Sequence, residues 1–405
     1  MNKDSEVNTL EKNLSIITEK IRKNVNSTLE STKFVDIIEI KNLQKLNNIL
    51  FLNASLDKKN FEKKFEDKMS KILQIIYNNK KNNCNIKCLF MRSDYLFSIN
   101  KQWKLVENNL ISCAYPILGP IINKFHHSKN PKTVISNSDI KLLNFICEIK
   151  KFYENERISI LIDDKNDEFT DNFLEKKILI EKLSDRKIEM IHTTMEEIRI
   201  YGEYKENILY LKKKPVFLIY YRYYYNHDHY KEKDIETRIK LESTDAVSIP
   251  TVEFQILGLK YFQKIWATSK NELEKYLVEK NKLENTFVKY KDCKDYKKED
   301  LDSYILKTVN EGGNSNFFRE DIEKKIKHNS EYFLMEKIIP SLFENCSLKS
   351  KVIPEIGIFG GIIFLNGKIV YNEEMGFICR TKLENVDECG VTKKNGYLDS
   401  IYFDD

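Results

Sequence analysis

Apolar residues recur at three- and four-residue steps through residues 6–80. Leu10, Leu14, Ile17 and Ile21 form one series, and Phe61, Phe65, Met69, Ile72 and Ile76 form another, which predicts lysine-rich helix broken near Asn53-Ala54-Ser55. Such short stretches suit helices packed on a sheet better than a coiled coil. Strand-like runs follow at Ile86–Met91, Tyr95–Ile99 and Lys104–Val106, then helical patterns over Pro116–His127 and Ile140–Glu154. From Arg157 strand and helix alternate: Ile158–Ile162, a helix over Asn172–Leu183, Ile188–His192, a short helix, then Val216–Tyr221. That rhythm predicts a parallel α/β unit. Charge-heavy helix and loop span Lys270–Asp302. Short strands are predicted at Tyr304–Lys307, Tyr332–Ile338, Val352–Leu365 and Met375–Thr381, the texture of an antiparallel α+β unit.

Composition narrows the field without naming a function. With 67 basic and 62 acidic residues in 405, the formal charge is +5, too balanced to predict a nucleic-acid partner. A 41 % hydrophobic share argues against wholesale disorder, and this length usually divides into two or more domains. The charged opening Met1-Asn2-Lys3-Asp4-Ser5-Glu6 predicts no secretory leader, and no apolar run is long enough to span a bilayer. The eight scattered cysteines then read as reduced cytosolic thiols. Cys84-x-x-x-Cys88 has no further ligands nearby to complete a zinc site. Glycine is scarce, 12 in all, and only Gly119 and Gly202 precede Gly258. Since glycine allows close backbone approach by a ligand, the chemistry is expected in the C-terminal third.

There, Tyr304-Ile-Leu-Lys307-Thr-Val-Asn-Glu311-Gly312-Gly313-Asn314-Ser-Asn316-Phe-Phe318 delivers a lysine, a carboxylate, two glycines and several amides from one strand. Consecutive small residues let backbone N–H groups cradle phosphate oxygens, Lys307 can neutralise phosphate charge, and Glu311 can hold Mg²⁺. A plain hairpin turn explains the same residues. The run is neither a Walker A loop nor a dinucleotide fingerprint. Three further stretches stand out: Arg92-Ser93-Asp94-Tyr95 with Glu107-Asn108-Asn109, Leu334-Met335-Glu336-Lys337-Ile338, and Glu355-Ile-Gly357-Ile-Phe-Gly360-Gly361 with Arg380-Thr381-Lys382.

Taken in order from about residue 85 to the end, these stretches resemble the eukaryotic-type glutathione synthetases, which are ATP-grasp ligases. The resemblance implies an α/β ATP-grasp fold with α+β elements. It implies a main domain of residues 1–157 and 260–405, a small lid at about 284–350, and an inserted parallel α/β substrate-binding domain at 158–259. It implies Mg²⁺ on Glu107, Asn109 and Glu311, the first and last of which also serve ATP. Lys260 and Lys307 are then the ATP lysines, Gly312 and Gly313 lie in the phosphate loop with Asn316 and Phe318, and Met335, Glu336, Lys337 and Ile338 read adenine. Glu355 and Lys382 also match nucleotide positions. Arg92, Ser112, Asn172, Arg222, Tyr225 and Arg380 match residues that hold γ-glutamylcysteine, with Val391 and Thr392 in the acceptor loop. Arg92 and Arg380 are the residues expected to stabilise developing charge. The implied partners are ATP, γ-glutamylcysteine and glycine or another amine, in a cytoplasmic homodimer with no nucleic acid and no membrane.

The sequence departs from the family pattern mainly where substrate is recognised. A pocket serine is Ala114, a glutamate is Thr170 and a glutamine is Lys176. Tyr223-Tyr224 replaces Asp-Gly, and Gly390-Val391-Thr392-Lys393 stands for an alanine-rich loop, with Cys389 for glycine. Asn314 replaces the loop's third glycine and Phe318 a tyrosine. Two readings stand: a fast-drifting glutathione synthetase, or a paralogue with another acceptor or donor. A basic RNA-binding or scaffold protein built on the lysine tracts at 58–64 and 79–87, otherwise solvated faces and loops, is the rival from another class. The Tyr220–Tyr230 run with His227 and His229 could stack bases or hold a metal, but reads better as lining of the cleft or an interface after a strand. His126-His127 is expected to cap a helix.

Overall fold

A computed structural model describes residues 29–30 and 37–402, apart from 64, 66, 82–83, 155, 164–170, 278–279, 309–315, 327–331, 346–348, 388, 390 and 392–395. The Leu10–Ile21 series lies outside the described residues. Helix α1 (Ile37–Leu56) runs through Asn53-Ala54-Ser55, where a break was predicted. It continues because those polar groups find partners: Asn53 donates to Tyr276 O, and Ser55 turns back on Leu52 O at 2.7 Å. Helix α2 (Lys68–Asn79) starts where Asp67 caps Ser70 N, so Phe61 and Phe65 precede it and pack on the core from a turn and a loop. Strand β1 (Ile86–Phe97) is one continuous element where two runs were expected; β2 (Trp103–Asn109), α3 (Leu118–Lys129) and α4 (Ser138–Lys150) follow.

The alternating segment forms as predicted, with additions. Strand β3 (Ile158–Ile162), α5 (Asp171–Ser184), β4 (Met190–Thr193) and α6 (Met195–Tyr201) come first. A hairpin of β5 (Gly202–Lys205) and β6 (Ile208–Leu211) then leads into β7 (Lys214–Tyr221), α7 (Glu232–Glu242) and β8 (Val247–Ile249). Strands β4-β3-β7-β8 are parallel neighbours, and β6 and β5 extend the sheet antiparallel from β7. The hairpin escaped the sequence reading because its turns use no glycine. Glu206-Asn207 and Lys212-Lys213 all adopt positive φ, from 48° to 68°, the twist that two-residue hairpin turns require.

After α8 (Val252–Gly258), α9 (Lys260–Thr268) and two short helices, α10 (Lys270–Glu274) and α11 (Lys280–Glu284), comes a small antiparallel sheet. Its strands are β9 (Tyr290–Lys291), β10 (Tyr304–Thr308), β11 (Asn316–Phe317) and β12 (Tyr332–Glu336), in the order β9-β12-β10-β11. Strands β13 (Phe343–Asn345), β14 (Ser350–Leu365), β15 (Lys368–Leu383) and β16 (Tyr397–Asp399) then return to the large sheet. There β14 lies between β15 on one side and β1 on the other, with β2 beyond β1.

Both faces of this sheet are covered, which is why β14 reads as an apolar run without alternation. Ile356, Ile358 and Ile362 pack with Phe51, Phe254 and Phe262 of α1, α8 and α9. Phe359 and Ile363 pack on the opposite face with Phe90 and with Phe145 of α4. The architecture is mixed α/β with three sheets.

Candidate active site

The period of two along strands assembles the site. Cys88 and Phe90 of β1 are apolar and face α4; continuing on that face come Arg92 and Asp94. Register sets Arg92 opposite Asn109 and Asp94 opposite Glu107 on β2. On the other side Asp94 pairs with Gly357, and Glu355 pairs with Arg380 of β15. One face of four adjacent strands therefore turns from apolar to charged over a single step.

Asp94 is the centre of the cluster, with no solvent exposure. It takes a two-pronged pair from Arg92, Nε to Oδ1 at 2.7 Å and Nη2 to Oδ2 at 2.8 Å. Arg380 Nη2 donates to Oδ2 at 2.7 Å and also pairs with Glu355, and Asn109 Nδ2 donates to Oδ2 at 2.9 Å. The opposing Gly357 has no side chain for a reason: a Cβ there would lie 2.7 Å from Asp94 Oδ1 and 2.8 Å from Arg92 Cδ. Asp94 was not singled out as a functional residue from the sequence, although its Arg-x-Asp spacing on a strand was the available signal. Behind the sheet, Ser93 Oγ accepts from Asn47 and donates to Asn108, locking the strand pair from the other face.

Glu107 is half-buried beside this group. Burial would raise its pKa, but Lys260, Lys307, Arg380 and Arg92 hold it down to about 2. Lys260 opens α9 and Lys307 sits on β10, both buried, so two separate elements aim cations at one carboxylate. Glu355, by contrast, is pushed up by burial, with Arg380 opposing the shift. Arg380 stays a cation: burial works against its charge, but Asp94 and Glu355 outweigh it. Four cations thus meet three carboxylates, an arrangement suited to a polyanion accompanied by a divalent metal.

The other expected residues are distributed as follows. Asn316 is in register with Lys307 across β10 and β11, and Phe318 follows, half-buried. Glu311, Gly312, Gly313 and Asn314, from the segment between those strands, lie outside the described residues, as do Thr170, Gly390, Thr392 and Lys393. Met335 and Ile338 pack with Val288, Tyr290 and Phe333. The Glu336 and Lys337 N–H groups already donate to Lys289 O and Ser303 O. Lys382 Nζ donates to Asp387 O. Val391 packs at the edge of the α4-side core, and Asn172 falls in the first turn of α5.

Ser112 and Arg222 form a second group joined to the first, while Tyr225 meets Tyr223 and His229 edge-on. Arg92 Nη1 donates to Ala114 O and Arg222 Nη1 to Cys113 O, so the segment between them carries both arginines. Ser112 Oγ donates to Arg222 O at 2.6 Å, and Ser112 and Tyr115 are held at positive φ, 53° and 75°. The Arg222 side chain is 1 % exposed and pairs with Glu175, which also accepts from Tyr115 N. Arg222 is thus buried and held from several sides. Glu175 was also missed from sequence, because its partner Arg222 follows β7 and the N–H it accepts from belongs to Tyr115 in a distant loop.

At the C-terminal edge of the parallel sheet, Lys176 pairs with Asp163, and His192 Nε2 lies 3.3 Å from the same oxygen. Burial and Arg222 bring the Lys176 pKa down to about 8. Tyr223 stacks on His229 at 3.8 Å, and Tyr225 meets that ring edge-on.

Some expectations need correcting. His126 is no end cap: it lies within α3, fully buried, bonded through Nδ1 to Ser400 Oγ. Lys80, expected on a solvated face or loop, is buried against Glu253. No cluster of three or more His, Cys, Asp or Glu side chains among the described residues is placed to hold a metal. No helix among the described residues is long and apolar enough to cross a membrane.

The eukaryotic glutathione synthase, ATP-binding domain, is the family profile that matches residues 40–403. The chain belongs to this family. The glutathione synthase family is one of ATP-dependent ligases, and its ATP-binding domain implies ATP use. Among relatives, the chain is 26 % identical to the chloroplastic glutathione synthetase of Arabidopsis thaliana, over 89 % of this chain and 75 % of that one. It is 26 % identical to the glutathione synthetase of Mus musculus, over 77 % and 73 %. In fold it is similar to a glutathione synthetase-like effector from Globodera pallida in apo form, with TM-score 0.75, 18 % identity, and coverage of 98 % and 97 %.

Proposed function

We propose that the chain joins γ-glutamylcysteine to glycine at the expense of ATP, giving glutathione, ADP and phosphate. In this reading residues 1–157 and 260–405 form an ATP-grasp body with a lid at about 284–350, and residues 158–259 form the inserted donor-binding domain. The observation that carries it is the joint anchoring of Arg92 and Arg380 on Asp94, beside a Glu107 kept ionised by Lys260 and Lys307.

The donor's cysteinyl carboxylate attacks the γ-phosphorus, the bond to ADP breaks, and an acyl phosphate results. The amine then attacks the acyl carbon, phosphate leaves, and the nitrogen gives up a proton. Positioning and charge neutralisation dominate such transfer, so the chain needs cations held still more than it needs a general base. Arg92 and Arg380, fixed by Asp94, meet the charge that develops on the transferring group; Lys260 and Lys307 hold the nucleotide phosphates.

The donor set fits Mg²⁺. Glu107 is kept ionised, and Asn109, whose amide nitrogen is tied to Asp94 and Glu107, has a carbonyl oxygen of the hard type that would suit the ion. Glu311 is the third proposed ligand. Held by these residues, Mg²⁺ would supply neutralisation of the nucleotide's negative charge. Met335–Ile338, with Glu355 and Lys382, would contact the nucleotide, whereas Ser112, Asn172, Arg222 and Tyr225 would shape the donor side, Arg222 from a buried position. The proposal extends to a cytoplasmic homodimer.

A second reading, a different acceptor or donor, draws on Lys176 with Asp163 and His192 and on the Tyr223–His229 stack beside Arg222. Pocket changes of that kind shift discrimination by roughly 1–3 kcal/mol. Purified chain with ATP, Mg²⁺, γ-glutamylcysteine and an amine panel tests both, read by ADP release and product mass. Glutathione as main product supports the first reading, and another conjugate supports the second. No ADP release with any amine sinks both, and salt-dependent retardation of RNA in its place would favour the binding-protein rival.

A further inference from the structure

Arg92 stands on β1 of the large sheet and Arg222 follows β7 of the parallel sheet, yet both are pinned to one short segment. Strand β2 ends at Asn109 and α3 opens at Leu118. Between them, Ala114 O takes Arg92 Nη1 at 3.1 Å and Cys113 O takes Arg222 Nη1 at 2.7 Å. At the near end, Cys113 Sγ donates to Asn109 O at 3.0 Å. Ser112 and Tyr115, at φ of 53° and 75°, hold a left-handed backbone that residues other than glycine resist. A segment of that kind keeps its shape only where its surroundings hold it.

Glu175 supplies the hold at the far end. It sits on α5, whose Leu179 and Leu183 share a core with Leu161 and Phe217 of the parallel sheet. Its Oε1 accepts from Tyr115 N at 2.9 Å and from Arg222 Nη1 at 3.3 Å, and its Oε2 accepts from Leu118 N at 3.4 Å. Helix α3 has no cap of its own, since Ile117 offers no side-chain acceptor and the first turn holds no acidic residue. A carboxylate from another element therefore stands at its positive end. Burial pushes the Glu175 pKa up, and Arg222 with the two backbone N–H groups opposes the shift.

We propose that Glu175 is a positioning residue for the ligation. It fixes the shape of the 109–118 segment, the segment seats the Arg92 guanidinium through Ala114 O, and α5 of the parallel unit thereby sets the aim of a cation in the Asp94 cluster. Glu175 has no bond to Arg92 itself, so its effect passes through the segment. The inference rests on the ligase reading above, in which Arg92 meets the charge of the transferring group.

The test measures ADP release by the full chain with ATP, Mg²⁺, γ-glutamylcysteine and the best amine of the panel. Turnover is expressed per ATP site titrated with a fluorescent nucleotide, which removes the unfolded share of any variant. Glu175→Gln keeps the volume and one acceptor but loses the charge, so kcat per site falls about tenfold or more, and Glu175→Ala falls further. The KM for ATP stays within about twofold, because none of Glu175's partners lies on α9 or β10, which carry Lys260 and Lys307. A double-mutant cycle with Arg92→Lys reads the route: in that background Glu175→Gln costs less than about threefold, since both changes disturb one guanidinium. Losses that multiply in full would place the effect of Glu175 elsewhere and overturn the proposal. So would a Glu175→Gln chain with a lowered Tm and unchanged kcat per site, the outcome of a purely structural strut. Wild type without ADP release sinks the ligase reading and this role with it, whereas active wild type with an unaffected Glu175→Gln sinks this role alone.

Discussion

Asp94→Asn is the sharpest test of the charged cluster. The wild-type carboxylate is fully buried and serves both prongs of Arg92, one nitrogen of Arg380 and the amide of Asn109. Asparagine keeps the volume but removes the charge, and it turns an N–H₂ toward groups that can only donate. Leaving two buried guanidiniums short of their counter-charge costs about 3–5 kcal/mol of stability. The arginines also lose the group that aims them, and misplacement on the order of 1 Å lowers turnover by roughly 100-fold. Urea unfolding reads the first effect, and steady-state ADP release with separate kcat and KM reads the second. The signature is a loss concentrated in kcat, because developing charge is what the arginines are proposed to meet. If stability falls as stated while kcat/KM stays within about threefold, Asp94 holds the fold and nothing more, and the proposed mechanism loses its anchor.

Other outcomes follow from neighbouring residues. Gly357→Ala inserts a methyl 2.7–2.9 Å from Asp94, Arg92 and Ile378; it should cost about 1–3 kcal/mol by thermal unfolding and displace the Arg92 guanidinium, with turnover falling in step. Glu107→Gln removes a carboxylate held at about 2, so the proposed Mg²⁺ dependence of the wild type should show no Glu107 titration between pH 5 and 9, while the variant needs about tenfold more Mg²⁺. Asp399 is fully buried and its pKa is pushed up to about 7 from 3.8. Its contribution is therefore complete below pH 4 and lost as pH rises through 7, about 4 kcal/mol in all. Asp399→Asn should flatten that decline in urea titrations at pH 5 and 8; an unchanged slope would remove the assignment. Lys176→Gln restores the neutral side chain that the family resemblance led one to expect, and amine or donor preference should shift if Lys176 sets specificity. An identical product profile would take it out of recognition.

Much of the architecture could be read from periodicity alone. Long apolar runs such as Ile158–Ile162, Val216–Tyr221 and Val352–Leu365 had no other stable use than strands buried on both faces. The motifs carried the family, because Arg92-x-Asp94, Glu107-x-Asn109, Lys307, Glu355 and Arg380 keep their order and side-chain chemistry whatever the loops between them do. Local reading failed where a choice depended on partners remote in sequence. Asn53 and Ser55 looked like a helix break until Tyr276 and the helix's own backbone satisfied them. Glu206-Asn207 and Lys212-Lys213 gave no turn signal, since glycine was absent at positions that still took positive φ.

By itself, then, the sequence determined the elements, the family and the inventory of charges, all of which depend on neighbours along the chain. Tertiary structure decided which charges count. Strand register put Gly357 opposite Asp94 and so made room for a carboxylate that binds two arginines. Packing buried Arg222 against Glu175, and gathered Lys80, Lys87 and Glu253 around a cavity away from the charged cluster. The physical reason is that an ionic interaction takes its strength from burial and from partners within a few ångströms, and in this chain those partners come from 2 to 286 positions away.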